Sequence, residues 1–250
     1  MNPSERLTTR TVLTRNYAII DPNGLCPTSV PGYEGCKVYV MASPGLGANF
    51  AHYLVTIAPG GNANLSPAPE EQIFAYVLKG EASARSHDNS WGLVAGGYVY
   101  APPGAALEMG NIVKEELRIA IFRHPYRCGG GEYPWMVAGD LDQVEADPRE
   151  PGTYLQKRLL PDDAAFDLTV NVLHFDPEDS HPFVENHYES HGLLMLEGSG
   201  KYLLGDHWHE VRAGDYIWMG PFVPQAFVCT DGDGAKYLYS KEVNRDVVLP

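Results

Sequence analysis

Glu185, His187 and His191 are spaced so that their side chains could bind one metal ion. The separations of two and four residues are both even, so in an extended chain all three side chains point to the same face. Two imidazoles and one carboxylate that converge inside a barrel suit a divalent transition metal. The three residues are therefore candidates for a metal centre.

The same spacing occurs in the first metal-binding signature of the cupins, but the outer residue types are exchanged. Glu185 stands where the signature has its first histidine, and His191 stands where it has glutamate. The second signature starts at Gly214 and places its ligand at Gln225. A polar strand end with solvated histidines is the alternative interpretation. We favour a metal site formed by Glu185, His187, His191 and Gln225, because a fourth ligand lies at the signature distance.

These four side chains would supply two nitrogen and two oxygen donors with a single negative charge. Such a set disfavours metals that prefer thiolates. It allows octahedral Mn2+, Fe2+ or Co2+, with two coordination positions open for substrate or water.

The elements that must position these residues are short β-strands. Glycine (26) and proline (20) interrupt short runs rich in Val, Ile, Tyr and Phe, a pattern typical of strands joined by turns. These runs are HYLVTIAP, IFAYVLKG, GYVYAPPG, LRIAIFRH, GLLMLEGSG, DYIWMGP and KYLYSKEV. Only one short helix is predicted, near residues 141–146. The sequence therefore predicts an all-β protein.

The second half of the sequence repeats the first. A shift of 118 residues without a gap aligns Pro59 with Pro177 and Gly80 with Gly198. A repeat of about 120 residues has the size of one β-barrel or jelly roll. We predict two tandem cupin barrels, residues 1–126 and 150–250, joined by a Gly-, Pro- and acid-rich connector at residues 127–149.

The N-terminal barrel has no ligand-type residues at the equivalent positions. Pro67, Pro69, Ile73 and Leu107 stand in place of the four candidate ligands. We predict that this barrel is metal-free, serves packing and assembly, and leaves one metal ion per chain.

Composition excludes several classes of function. A net charge of -14 without a basic stripe repels phosphate backbones, so nucleic-acid binding is not expected. The cysteines Cys26, Cys36, Cys128 and Cys229 lack CxxC spacing, which suits a reducing compartment. No stretch is apolar enough for a signal peptide or a membrane span. We expect a cytoplasmic protein with no membrane partner.

A specific resemblance covers essentially the whole chain and is densest from Val184 to Asp246. The strings EGSGKYLLGDHWHEVRAGDYIWMGPFVPQ and YLYSKEVNRD resemble those of the (S)-ureidoglycine aminohydrolases, a family of bicupins that shares the Glu-first, Gln-last ligand set. The resemblance implies that these four ligands bind Mn2+. It also implies that Lys241, Tyr237 and Tyr202 line the active site as catalytic residues.

The implied reaction is release of ammonia from (S)-ureidoglycine to give (S)-ureidoglycolate, a step of allantoin and purine catabolism. Lys241 could pair with the substrate carboxylate in this otherwise acidic protein. Tyr237 lies four residues before Lys241, hence on the same strand face. His52, His87, His124, His174 and His181 show no spacing that indicates a site.

Two alternatives remain open from the residues themselves. Two histidines and a carboxylate also suit a non-haem iron dioxygenase on a bicupin scaffold. A metal-loaded cupin that binds a small acid without turnover is the other alternative. All three interpretations have a small-molecule partner, and metal bicupins commonly pair through their sheets, so we expect a homo-oligomer.

Overall fold

A computed structural model describes residues 8–87, 89–127, 132–148 and 150–247, and it confirms the all-β prediction. These residues form twenty strands and two short 3-10 helices, Pro22–Gly24 and Leu141–Gln143. The short helix predicted near residues 141–146 is thus a single 3-10 turn. Cys128 and residues 128–131 and 149 of the predicted connector lie outside the described residues. No helix in the described ranges is long and apolar enough to cross a membrane.

The chain divides into two compact units, each built from separate stretches of sequence. We call them the N-terminal and C-terminal units after the half that contributes most residues. The N-terminal unit comprises Pro27–Ala146, Lys157–Asn171 and the residues from Ser240 onward. The C-terminal unit comprises the residues up to Cys26, Asp147–Gln156 and Val172–Tyr239. This grouping is interleaved, whereas the sequence repeat predicts contiguous barrels with boundaries at 126 and 150.

The N-terminal unit contains a nine-stranded sheet. Its strands are β3 (Tyr33–Ala42), β4 (Ala51–Asn64), β5 (Glu71–Lys79), β6 (Ala82–Ser86), β7 (Asn89–Leu93), β8 (Gly97–Ala101), β9 (Glu108–Asn111), β10 (Leu117–Pro125) and β11 (Val137–Asp140). Their order is β11-β8-β5-β10-β4-β9-β6-β7, with β3 paired to β4. Its apolar core contains Ile73 and Leu107, the residues equivalent to His191 and Gln225. Neither side chain can ligate a metal.

The remaining strands form an eight-stranded and a three-stranded sheet. They are β1 (Val12–Leu13), β2 (Tyr17–Ile20), β12 (Asp147–Pro148), β13 (Leu155–Arg158), β14 (Leu168–Phe175), β15 (His191–Glu197), β16 (Ser199–Leu204), β17 (His207–Arg212), β18 (Tyr216–Met219), β19 (Gln225–Cys229) and β20 (Ala235–Glu242). The orders are β1-β2-β18-β15-β20-β14-β13-β12 and β17-β16-β19. Each of the seven apolar runs identified in the sequence contains strand residues.

The duplication is visible strand by strand. The shift of 118 residues places β5 on β15, β6 on β16, β7 on β17, β8 on β18, β9 on β19 and β10 on β20, within two residues at each start. The turn glycines match as well, since Gly80 and Gly198 both have positive φ, 88° and 72°. The structure therefore repeats one strand order twice, as the sequence predicts.

The N-terminal residues account for one part of this interleaving, the assignment of the residues up to Cys26 to the C-terminal unit. Strand β2 pairs antiparallel with β18, with Ile20 opposite Tyr216. Arg10 adds a bidentate ion pair to Asp215, with both nitrogen–oxygen distances at 2.6 Å. Because Asp215 is fully buried, this charge-assisted contact fastens the first described residues to the second half of the chain.

Gly198 turns the chain between β15 and β16 and sets the start of the strand that carries Tyr202. Its φ of 72° is the left-handed region that favours glycine. A Cβ added there would collide with the Gly234 carbonyl oxygen and would lie 2.8 Å from the Ala235 Cα. Both obstacles are backbone atoms, so relief by side-chain movement is excluded.

We expect Gly198→Ala to lower the free energy of unfolding by more than about 2 kcal/mol, from left-handed strain plus the backbone clash. The control is Gly152→Ala, because Gly152 also has positive φ, 80°, but its added Cβ meets nothing within 4 Å. Its loss should be about 1 kcal/mol. Denaturant unfolding measures both values, and equal losses would contradict the clash.

Candidate metal centre

Backbone pairing brings Glu185 and Gln225 side by side. The Glu185 amide donates to the Gln225 carbonyl at 2.8 Å, and the Gln225 amide donates back at 2.9 Å. Residues that exchange both bonds in an antiparallel pair carry their side chains on the same face. Gln225 is also the first residue of β19, where it lies opposite Leu204 of β16. The sheet thus fixes the position of Gln225, and the backbone bridge places Glu185 beside it.

The side chains of His187, His191 and Gln225 converge. The His191 Nε2 lies 2.9 Å from the Gln225 Oε1, and the Gln225 Nε2 lies 3.1 Å from the His187 Nε2. The two imidazole centroids are 5.0 Å apart. His191 and Gln225 are both buried, and His191 begins β15. Three of the four predicted ligands therefore present their donor atoms to one small volume.

His187 is oriented as a metal-binding histidine requires. Its Nδ1 lies 3.1 Å from the Glu189 carbonyl oxygen and 3.1 Å from a Glu189 carboxylate oxygen. Both partners are acceptors, so Nδ1 carries the hydrogen and Nε2 keeps its lone pair. An imidazole whose second nitrogen donates to a carbonyl or carboxylate is the usual arrangement around a bound metal.

The chemistry of the donors fits a divalent ion. Ligand atoms about 2.1 Å from an octahedral metal lie about 3 Å apart, which matches the 2.9 Å between the His191 Nε2 and the Gln225 Oε1. No three His, Cys, Asp or Glu side chains in the described ranges are close enough to hold a metal by themselves. Glu185, His187 and His191 thus do not form such a group, and the close contacts among the predicted ligands join the two imidazoles to the Gln225 amide.

The backbone around the ligands differs from the expected single strand. Of the three ligands expected on that strand, Glu185 forms an isolated bridge, His187 lies in irregular chain, and His191 begins a regular strand. Hydrogen bonds to β19 and to the turn before it replace a regular strand pairing. The Phe222 amide, for example, donates to the His187 carbonyl at 2.7 Å.

Tyr202 and Tyr237 lie beside Glu185 in the C-terminal unit. Both side chains are almost fully buried, and burial raises the pKa of both phenols far above the ordinary value. The negative charge of the Glu185 carboxylate raises both pKa values further. Both hydroxyls are therefore protonated at neutral pH and can donate hydrogen bonds.

Lys241 lies four residues beyond Tyr237 in β20, so both side chains leave the same face of the strand. Within the part of the chain that the structure describes, its ammonium makes no hydrogen bond or ion pair. Its predicted role in binding the substrate remains a prediction.

One residue of this region was not expected from the sequence. The His181 Nε2 lies 2.7 Å from the Tyr237 hydroxyl oxygen, in a ring of aromatic side chains. The sequence does indicate it, because His181 precedes Glu185 by four residues. This separation is even, as are those among Glu185, His187 and His191. His181 lies outside the cupin signature positions.

The repeated strand order and the clustered donors define a two-barrel cupin with a candidate metal centre in its second half. An oxalate decarboxylase variant from Bacillus subtilis has the same fold, with a TM-score of 0.69 over 92% of this chain and 78% of its own, at 10% identity. The crystal structure of the Escherichia coli protein Ylba is similar over 100% of both chains, with a TM-score of 0.89 and 32% identity.

The sequence comparison is more specific. The chain is 35% identical over 237 residues to (S)-ureidoglycine aminohydrolase of Escherichia coli, covering 94% of this chain and 91% of the relative. No family model matches the sequence. The chain belongs to the (S)-ureidoglycine aminohydrolase family.

We expect His187→Ala and Gln225→Leu each to weaken Mn2+ binding at least tenfold, because each removes one donor from the cluster. Leucine at position 225 reproduces Leu107 of the first half, which is buried without difficulty. Metal analysis after dialysis measures the bound ion, and one ion per wild-type chain is expected. The control is His207→Ala, whose side chain is 69% exposed. Unchanged metal content in the two cluster variants would contradict the site.

Phe222 has a φ of 61°, although it is not glycine, and its side chain is 64% exposed. The equivalent residue of the first half is Gly104, with a φ of 71°. We expect Phe222→Gly to raise the free energy of unfolding by up to about 1 kcal/mol, since little buried area is lost and left-handed strain is relieved.

The matched control for Phe222→Gly is Phe183→Gly. Phe183 is equally exposed, at 65%, and does not have positive φ. Glycine there adds freedom to the unfolded chain without relieving strain, so stability should fall slightly. Denaturant unfolding that ranks Phe222→Gly below Phe183→Gly would contradict the argument.

Proposed function

We propose that this protein releases ammonia from (S)-ureidoglycine and forms (S)-ureidoglycolate, with one Mn2+ held by Glu185, His187, His191 and Gln225. The observation that carries the proposal is the convergence of two imidazoles and the Gln225 amide beside the Glu185 bridge. Membership of a family whose Escherichia coli relative carries this name supports the substrate.

The residues suit the substrate's three functional groups. One carbon of ureidoglycine carries a carboxylate, an amine and a ureido nitrogen. The lone pair of the ureido nitrogen assists departure of the amine, which leaves as ammonia with one added proton. Water then forms the new C–O bond at the same carbon. A bound divalent ion would supply positive charge to the carboxylate and fix the face of the carbon that is presented.

The protein's own side chains hold the substrate in this scheme. Lys241 pairs with the carboxylate, and it has no competing partner among the described residues. Tyr202 and Tyr237 donate hydrogen bonds, because their raised pKa values keep both hydroxyls protonated. Their burial keeps bulk water from competing for these hydrogen bonds.

The direct test uses the purified protein with Mn2+ and freshly prepared (S)-ureidoglycine. Ammonia release well above the uncatalysed rate is expected, with chiral analysis giving (S)-ureidoglycolate. The His187→Ala variant is the control for contaminating activity. Release at the uncatalysed rate, or consumption of oxygen with an enolate or aromatic substrate, would overturn the assignment.

We expect Lys241→Met to raise KM for ureidoglycine about tenfold to a hundredfold and to change kcat little. A partly desolvated ammonium–carboxylate pair contributes about 1.5 to 3 kcal/mol, and methionine keeps much of the apolar stem. An interaction that stabilises the bound substrate and the transition state equally affects KM and leaves kcat unchanged. Lys241→Arg should recover only part of the loss, because the planar guanidinium group differs in reach from the lysine ammonium.

The control for Lys241→Met is Lys236→Met in the same strand. Lys236 lies an odd number of residues away, on the other face, and pairs with Glu197 at 2.8 Å. Its kinetics should match the wild type. A loss of several orders of magnitude in kcat for Lys241→Met would instead make Lys241 an acid or base, and wild-type kinetics would remove it from the site.

A further inference from the structure

His181 is a buried histidine that the reaction outlined above does not use. Its backbone is held on both sides, since its amide donates to the Phe227 carbonyl at 2.9 Å and its carbonyl accepts from the Ser180 hydroxyl at 3.0 Å. Its ring packs among Tyr154, Phe175 and Tyr202, with centroids 5.7, 5.7 and 6.3 Å away. The imidazole therefore has a fixed position and little room to rotate.

The only polar partner of this imidazole among the described residues is the Tyr237 hydroxyl. Nε2 lies 2.7 Å from the Tyr237 Oη, and Nδ1 is buried without a hydrogen-bond partner. Burial lowers the pKa of His181 to about 4, so the ring is neutral at pH 7 and carries one hydrogen. That hydrogen is on either Nε2 or Nδ1.

The two tautomers differ in what they leave unsatisfied. With the hydrogen on Nδ1, a buried N–H would have no acceptor. With the hydrogen on Nε2, only a lone pair on Nδ1 is unused, and an unused buried acceptor is tolerated better than an unused buried donor. The Nε2–H tautomer is therefore favoured, and its N–H donates to the Tyr237 oxygen.

This choice sets the direction of the next hydrogen bond. If the Tyr237 oxygen accepts from His181, its own hydrogen points away from His181. The Tyr237 hydroxyl then has its hydrogen available for a group other than His181. With the other tautomer Tyr237 would donate to the His181 Nε2, and only its lone pairs would remain for another group.

We propose that His181 is a positioning residue of the active site, whose Nε2–H donates to the Tyr237 oxygen and so leaves the Tyr237 hydroxyl hydrogen to point at the substrate. The proposal rests on the proposed function, because ureidoglycine offers a carboxylate and a departing amine, both of which are stabilised by a donor. An acceptor next to the Glu185 carboxylate would instead repel the substrate's negative charge.

The tautomer can be measured without any turnover. In metal-free protein labelled with 15N-histidine, the His181 ring nitrogens are assigned by comparison with His181→Gln. The expected spectrum shows a protonated Nε2 and a bare Nδ1. A protonated Nδ1 overturns the proposal, whatever substrate the enzyme uses.

The kinetic test separates positioning from a merely structural role. His181→Leu should lower kcat about tenfold or more with KM nearly unchanged. His181→Gln should recover most of the loss, because its amide N–H can replace the donor. In a Tyr237→Phe background, where the acceptor is missing, His181→Leu should have little further effect.

The control variant is His174→Leu, which removes a histidine whose side chain is 40% exposed and should leave kinetics unchanged. Metal content and thermal unfolding are measured for every variant. His181 would be a structural residue if His181→Leu still lowered kcat in the Tyr237→Phe background. The same conclusion would hold if the fall in kcat were matched by a loss of bound metal. An inactive wild type refutes the proposed function, while the NMR spectrum still decides the tautomer.

Discussion

The candidate metal centre depends on two backbone hydrogen bonds, those exchanged between Glu185 and Gln225. Glu185 has no regular strand around it, so this bridge is what holds its carboxylate next to the sheet. Gln225 belongs to β19, which pairs along its length with β16. In that pairing Tyr202 lies two residues from the partner of Gln225, on the same face. One bridge therefore joins an irregular segment to a surface whose side chains are already fixed.

Much of this could be predicted from the sequence because the signals are local or repeated. Alternation of apolar residues fixes strands, and glycines with positive φ, such as Gly80 and Gly198, fix turns at matching places in both halves. The repeat also identified which half has donors, since Leu107, just before β9, is the equivalent of Gln225 at the start of β19. The spacing of His187 and His191 pointed to two residues whose rings lie 5.0 Å apart, centroid to centroid.

The parts of the fold and of the site that could not be predicted depend on contacts between residues far apart in the sequence. Four residues separate His181 from Glu185, whereas two separate their partners Phe227 and Gln225. Two residues of this segment therefore have no partner in the antiparallel pairing, and the exposed side chains of residues 183 and 184 mark their position. No local sequence pattern predicts these two unpaired residues or the aromatic surroundings of His181. The pairing of β2 with β18 cannot be predicted from the sequence for the same reason.

That pairing has a consequence for synthesis of the protein on the ribosome. Strand β2 emerges early, but its partner β18 follows about 200 residues later, which at ordinary translation speeds is a delay of roughly 10 to 40 seconds. During this interval the edge of β2 that later pairs with β18 is exposed to solvent and to neighbouring chains. The Arg10–Asp215 contact cannot form until the same moment. Chaperones that shield nascent chains would therefore raise the yield of this protein by protecting β2 until β18 is made.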